Sequence, residues 1–135
     1  MIGLTINGRI YKRHFLKSIS GAEVIVALKH FGRHIPGLLL IVWDHSQPHR
    51  AKTVQDYLAA HPEIHIEWFP PYAPELNPEE FCHGNVKEQM CNATPDTVAE
   101  IRQQVDRGFA RLRKRPDLLL NFFHLAGLKL KQLWE

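Results

Sequence analysis

Two carboxylates in this chain stand where an acid invites use. Asp44 closes the apolar run Leu38–Trp43 and opens the polar turn His45-Ser46-Gln47-Pro48-His49. Glu80 comes just after the loop FPPYAPELNP, residues 69–78, which its four prolines make rigid. In open α/β sheets, functional groups collect beyond the carboxyl ends of parallel strands, and Asp44 is expected at such an end. The loop would deliver Glu80 to the same end after the next crossover. Carboxylate oxygens gathered there suit Mg²⁺ or Mn²⁺, hard cations that keep positions open for phosphate oxygens and water. Each acid also has an explanation without chemistry. Asp44 reads as a strand-ending turn residue. Asn77-Pro78-Glu79-Glu80 is a helix start, with Asn as N-cap and acids facing the positive end of the dipole, so Glu80 fits a capping box.

Other chemistry-bearing residues are scattered. There are nine histidines, but His45, His49, His61, His65 and His83 lack metal-site spacing, which argues against zinc. Cys82 and Cys91 are too few for a disulfide scaffold and read as reduced and structural. Tyr72, inside the proline loop, reads as a packing residue rather than a nucleophile. Arg107, Arg111, Arg113, Lys114 and Arg115 put five cations within nine residues. They suit either the negative end of a helix or a phosphate-binding stripe.

The elements that must position these groups are legible in outline. A chain of 135 residues with 44% apolar and 23% charged residues fits one globular domain, 1–135, with sheet and core helices over 1–92 and a helical tail over 93–135. The net charge is only +3, so a basic surface must be local. The longest apolar run is too short to span a bilayer, and a soluble, cytoplasmic protein is expected. Ile2, Leu4 and Ile6 alternate before Asn7-Gly8, predicting a hairpin with two positive-φ residues in its turn. Ser20 and Glu23 form a capping box for a helix that carries Val24, Leu28, Phe31 and Ile35 and stops at Pro36-Gly37. Leu38–Trp43 shows no alternation, as for a strand buried on both faces in a parallel pair. A helix over residues 50–60 and a half-exposed strand, Ile64–Trp68, complete a βαβ crossover, expected to be right-handed. Helix resumes at Asn77. Another begins at Thr94-Pro95-Asp96, with Val98, Ile101, Val105, Phe109 and Leu112 on one face, and a last one runs from Pro116 to a stop at Gly127.

"VWDHSQPHRAK" followed by "FPPYAPELNPEEFCHGNVK" resembles the carboxyl-terminal part of the DDE superfamily transposases of bacterial insertion sequences, relatives of mariner-type elements. The likeness extends over the whole chain, including the tail RKRPDLLLNFFHLAGL, and its most specific part is the proline-tyrosine-proline loop leading to Leu-Asn-Pro and a glutamate. The resemblance implies an α/β, ribonuclease H-like core that cleaves and joins DNA with Mg²⁺ or Mn²⁺. Asp44 matches the second catalytic aspartate and Glu80 the terminal glutamate, with 35 residues between them. Glu79 fills a slot that is usually a small aliphatic. His49 and Arg50 match a His-Arg pair that contacts phosphate or steadies the loop. With them, Lys52 and the five cations from Arg107 to Arg115 are the implied contacts to double-stranded DNA, the transposon ends in a full protein. His83 stands where a tryptophan is usual, which questions local packing or DNA contact.

The larger departure is an absence. The family's first catalytic aspartate lies on a strand before the hairpin, whereas no Asp precedes Asp44 and the only earlier acid is Glu23. The end-recognition helix-turn-helix is absent as well. The expectation is therefore a chain inactive by itself: one reading frame of a split transposase completed from an upstream frame, a homodimer, a non-catalytic DNA-binding or subunit-binding fragment, or a decayed remnant. The missing strand would leave Leu38–Trp43 with an unpaired edge, closed either by the hairpin or by another chain.

Overall fold

A computed structural model describes residues 1–128; the last seven positions of the expected tail, 129–135, lie outside the described residues. The fold is mixed α/β, and the chain divides into two compact units. One comprises Met1 and Lys12–Ala73, and the other comprises Ile2–Tyr11 and the chain from Pro74 onward.

The first unit, the sheet unit, is built on a parallel pair. β3 (Leu39–Trp43) runs beside β4 (Ile64–Trp68) in a register that sets Leu39 against Ile64 and Trp43 against Trp68. Between them lie α2 (Gln47–Arg50), one short turn, and α3 (Lys52–Ala59). The expected single helix over 50–60 is thus broken at Ala51, whose extended backbone, ψ 139°, interrupts it. α1 (Gly21–His34) precedes β3, and its amino end carries the anticipated box: the Ser20 N–H donates to the Glu23 carboxylate at 2.8 Å, and Lys17 Nζ lies 3.0 Å from the same group. These partners hold the buried Glu23 down to about 2, the Ser20 hydroxyl contributing most and Lys17 next. α1 and α3 touch at Gly21, where an added Cβ would stand 2.6 Å from Thr53 Oγ1 and 2.9 Å from Ala51 Cβ. Val24, Leu28, Val54 and Trp43 form the core of this unit.

β3 is not buried on both faces, contrary to its sequence. Leu39, Ile41 and Trp43 face the helices, but Leu40 is 65% and Val42 46% exposed. The physical reason is that α1 and α3 supply one covering layer, and an unbroken apolar strand calls for two.

In the second unit, the helical unit, β1 (Ile2–Leu4) and β2 (Ile10–Lys12) form a separate two-stranded sheet; the expected pairing of the hairpin with β3 does not occur. Its turn also differs from the expected type. Gly8 N–H donates to Thr5 O (3.0 Å), Thr5 N–H donates to Arg9 O (2.9 Å), and Gly8 alone has positive φ, 77°. This is a three-residue loop closed by a glycine bulge, in which Asn7 instead bonds the Thr5 hydroxyl. Three helices follow: α4 (Pro78–Ala93), α5 (Val98–Arg113) and α6 (Pro116–Leu125). α5 starts later than expected, on a Thr97/Glu100 capping box, because Thr94 adopts a left-handed conformation, φ 41°, at the end of α4. Val98 is consequently exposed, and Phe109 and Leu112 carry the buried face. Ile2 and Ile10 of the hairpin join Cys82, Val86, Phe109, Leu112, Leu119 and Phe122 in one core. Gly108 lets α5 approach α4, since a Cβ there would lie 2.9 Å from a Val86 methyl.

Candidate active site

At the carboxyl edge of the parallel pair, Asp44 follows directly on the last residue of β3. Its side chain is 56% exposed; Oδ1 accepts from Ser46 N–H at 3.1 Å and lies 2.9 Å from His49 Nδ1. Burial pushes the carboxyl up, but the Ser46 hydrogen bonds and the His49 charge outweigh it, leaving Asp44 below its ordinary value and ionised at neutral pH. The turn after β3 is short enough for the Ser46 N–H to reach back, and the His49 ring lies flat on the Trp43 indole, with centroids 4.3 Å apart and planes 8° apart. Beside them, His45 stacks on Trp68 at 5.0 Å, and Trp43 and Trp68 meet at 5.8 Å. This aromatic rim escaped the sequence reading, although the two tryptophans that end β3 and β4 were visible there.

Glu80 belongs to the helical unit and is exposed in the first turn of α4. The cap leaves its carboxylate unused. Asn77 Oδ1 accepts from Glu79 N–H at 3.1 Å, while the Asn77 N–H donates to Pro74 O at 3.0 Å, so Glu80 does not close a capping box. The capping-box explanation for this acid therefore falls away, while its place in the first turn, facing the positive end of the helix dipole, remains. His83 is half-buried in edge contact with Phe109, centroids 6.0 Å apart, so it keeps an aromatic packing role in the slot where the resembled sequences carry tryptophan. Burial, partly opposed by the Glu80 charge, pulls its imidazole down.

The cations divide. Arg111 donates to Asn85, and Arg115 grips Asp117 through two bonds of 3.1 and 2.9 Å. Arg107, Arg113 and Lys114 are exposed, as are Arg50 and Lys52, the latter paired with Asp56 at 3.3 Å. Tyr72 packs against nothing: it is fully exposed with φ 58°, because the proline loop turns through it in the left-handed region. Cys82 is buried, which together with the Glu79 charge pushes its thiol up to about 12 and leaves it an inert core residue. Among the described residues, no three His, Cys, Asp or Glu side chains gather to hold a metal ion, and no helix is long and apolar enough to cross a membrane.

A family profile described as DDE superfamily endonuclease matches residues 1–102. The chain belongs to that superfamily. The match ends inside α5, so it carries the hairpin, the parallel pair, Asp44, the proline loop and Glu80, but not the likeness of the tail beyond Arg102. No curated protein matches the chain. For a DDE endonuclease, a transposase-like nuclease acting on DNA is the coarse function that membership gives.

Proposed function

We propose that this DDE chain is the carboxyl-terminal part of a transposase catalytic domain, of the kind found in mariner-related bacterial insertion sequences, with a ribonuclease H-like core spanning 1–135. The observation that carries the reading is Asp44: an ionised carboxylate at the carboxyl end of a parallel strand, pinned through Oδ1 by Ser46 and His49. Asp44 and Glu80 serve as oxygen ligands for Mg²⁺ or Mn²⁺, which these donors fit. Such ions, when bound, activate a water or 3′ hydroxyl and stabilise the leaving oxygen of the phosphodiester. The protein's own part is to hold ionised oxygens in place and to bind double-stranded DNA through Arg50, Lys52 and the cations of α5.

Within these 135 residues no aspartate precedes Asp44, and Glu23 is spent on the α1 cap. Two carboxylates hold one divalent ion weakly, and two ions about 4 Å apart need a bridging ligand to offset their repulsion. These 135 residues are therefore inactive alone, and a segment that carries the missing aspartate, as from an upstream reading frame, completes the site. Fusing an upstream strand that ends in Asp should restore metal-dependent nicking of duplex DNA. Asp44→Asn or Glu80→Gln should then abolish it with an unchanged melting temperature. Robust cleavage by the 135 residues alone, surviving both substitutions, would refute the assignment.

A second reading, a non-catalytic DNA-binding or subunit-binding fragment or remnant, is favoured by the exposed Arg107, Arg113 and Lys114. It predicts weak, sequence-independent duplex binding that falls steeply with salt through counterion release. Replacing Arg111, Arg113 and Lys114 with Gln should flatten that slope; tight, salt-independent binding would exclude it.

A further inference from the structure

His49 touches Asp44 twice through a single nitrogen. Its Nδ1 lies 2.9 Å from the Asp44 carboxylate Oδ1 and 3.1 Å from the Asp44 backbone oxygen. Both partners only accept hydrogen bonds, so Nδ1 must carry a proton. The ring has little freedom to do otherwise. It lies flat on Trp43, which is itself buried, its side chain is only 16% exposed, and Gln55 Nε2 fixes the local backbone by donating to His49 O at 3.0 Å.

From this geometry we infer that His49 is a positioning residue for Asp44, which locks the carboxylate rotamer that is presented to a divalent cation. Nδ1 is already spent on Asp44. Trp43 serves as the platform that sets the ring plane, so one turn of chain links the last residue of the strand, the acid and its orienting imidazole. The inference rests on the reading of Asp44 as a metal ligand. It adds the group that prepares that ligand before metal arrives, in the way outer partners tune metal sites.

The first test uses the unmodified chain. Long-range ¹H–¹⁵N spectra of the imidazoles in alkaline buffer should show neutral His49 as the Nδ1–H tautomer, against the Nε2–H form that free histidine prefers; Nε2–H at His49 would overturn the inference. The second test reads Mn²⁺-induced broadening of the backbone amide signals from residue 44 to Ser46, which reports even weak binding and is present in every variant. His49→Phe keeps the stack on Trp43 but loses the donor, and His49→Gln moves the donor toward the Nε2 position. Both should weaken Mn²⁺ binding by about tenfold or more. His49→Asn, whose amide nitrogen falls near Nδ1, should restore most of it. Unchanged binding in His49→Phe, alongside loss in Asp44→Asn, would overturn the positioning role and leave the ligand reading standing. Unchanged binding in Asp44→Asn would overturn both. The tautomer measurement stands even where a variant misfolds.

Discussion

In the helical unit, Leu112 and Leu119 have no exposed surface and share one core with the hairpin; in the sheet unit, Leu40, in the middle of a strand, is 65% exposed. The difference follows from how each element asks to be covered. An amphipathic helix such as α5 needs one partner layer, and its unit provides it. A strand apolar on both faces needs two, and α1 with α3 provide one. The exposed apolar face and the unpaired edge of β3 therefore coincide with the strand that ends in Asp44. The unit that bears Asp44 is the less complete of the two as a packed body.

The comparison can be broken most forcefully at Leu112. Leu112→Ala should cost about 2–5 kcal/mol in chemical denaturation, the range for large cavities in closed cores. A loss below about 1 kcal/mol would mean that this core is no better packed than the sheet unit.

A smaller effect is expected at the α1 cap. Ser20→Ala should cost about 1 kcal/mol near neutral pH. Because the folded-state value of Glu23 is held at about 2, below its ordinary 4.5, its contribution is fully present above pH 4.5 and is lost as pH falls through about 2. Stability measured against pH should thus fall over that window, and Glu23→Gln should flatten the fall. An unaltered acid limb in Glu23→Gln would place the acid sensitivity elsewhere.

The smallest effect on stability belongs to Leu40→Lys, within about 0.5 kcal/mol, since little packing is lost. Its effect on association should be plain: a charge on the exposed face beside the β3 edge should reduce self-association in sedimentation experiments. Equal association in both proteins would show that the edge of β3 is not where copies meet.

Features confined to one turn of chain were legible in the residues. The Ser20/Glu23 box is read correctly because both partners sit within three positions and nothing else competes for them. The Thr97/Glu100 box is spelled the same way. It is overshadowed by Thr94-Pro95-Asp96, itself a fair helix start, and only the left-handed backbone of Thr94 decides between the two. At Asn7-Gly8 the place of the turn was plain but its type was not, since a bulge closed by Gly8 alone satisfies the same residues. Asp44 could be singled out as a strand-ending acid. Its link to His49 through a ring stacked on Trp43 could not, because it crosses an irregular turn that no helical or strand period describes. The exposure of Leu40 was hidden for a different reason: a sequence records what a strand would prefer to bury, not whether a covering layer arrives.

The helical unit is discontinuous, with Ile2 and Ile10 in one cluster with Leu119 and Phe122 at the other end of the chain, whereas the sheet unit, Met1 apart, is one uninterrupted stretch from Lys12 to Ala73. On the ribosome this imposes an order. The hairpin is made before the helices it packs against, yet an isolated two-stranded sheet is marginal in water and must wait for α4, α5 and α6 before its isoleucines find cover. The sheet unit can meanwhile collapse on its local contacts. Until those helices are made, the apolar side of the hairpin is a target for chaperones and for misassembly. Burial of Ile2 and Ile10 is thus set by the arrival of Leu119 and Phe122.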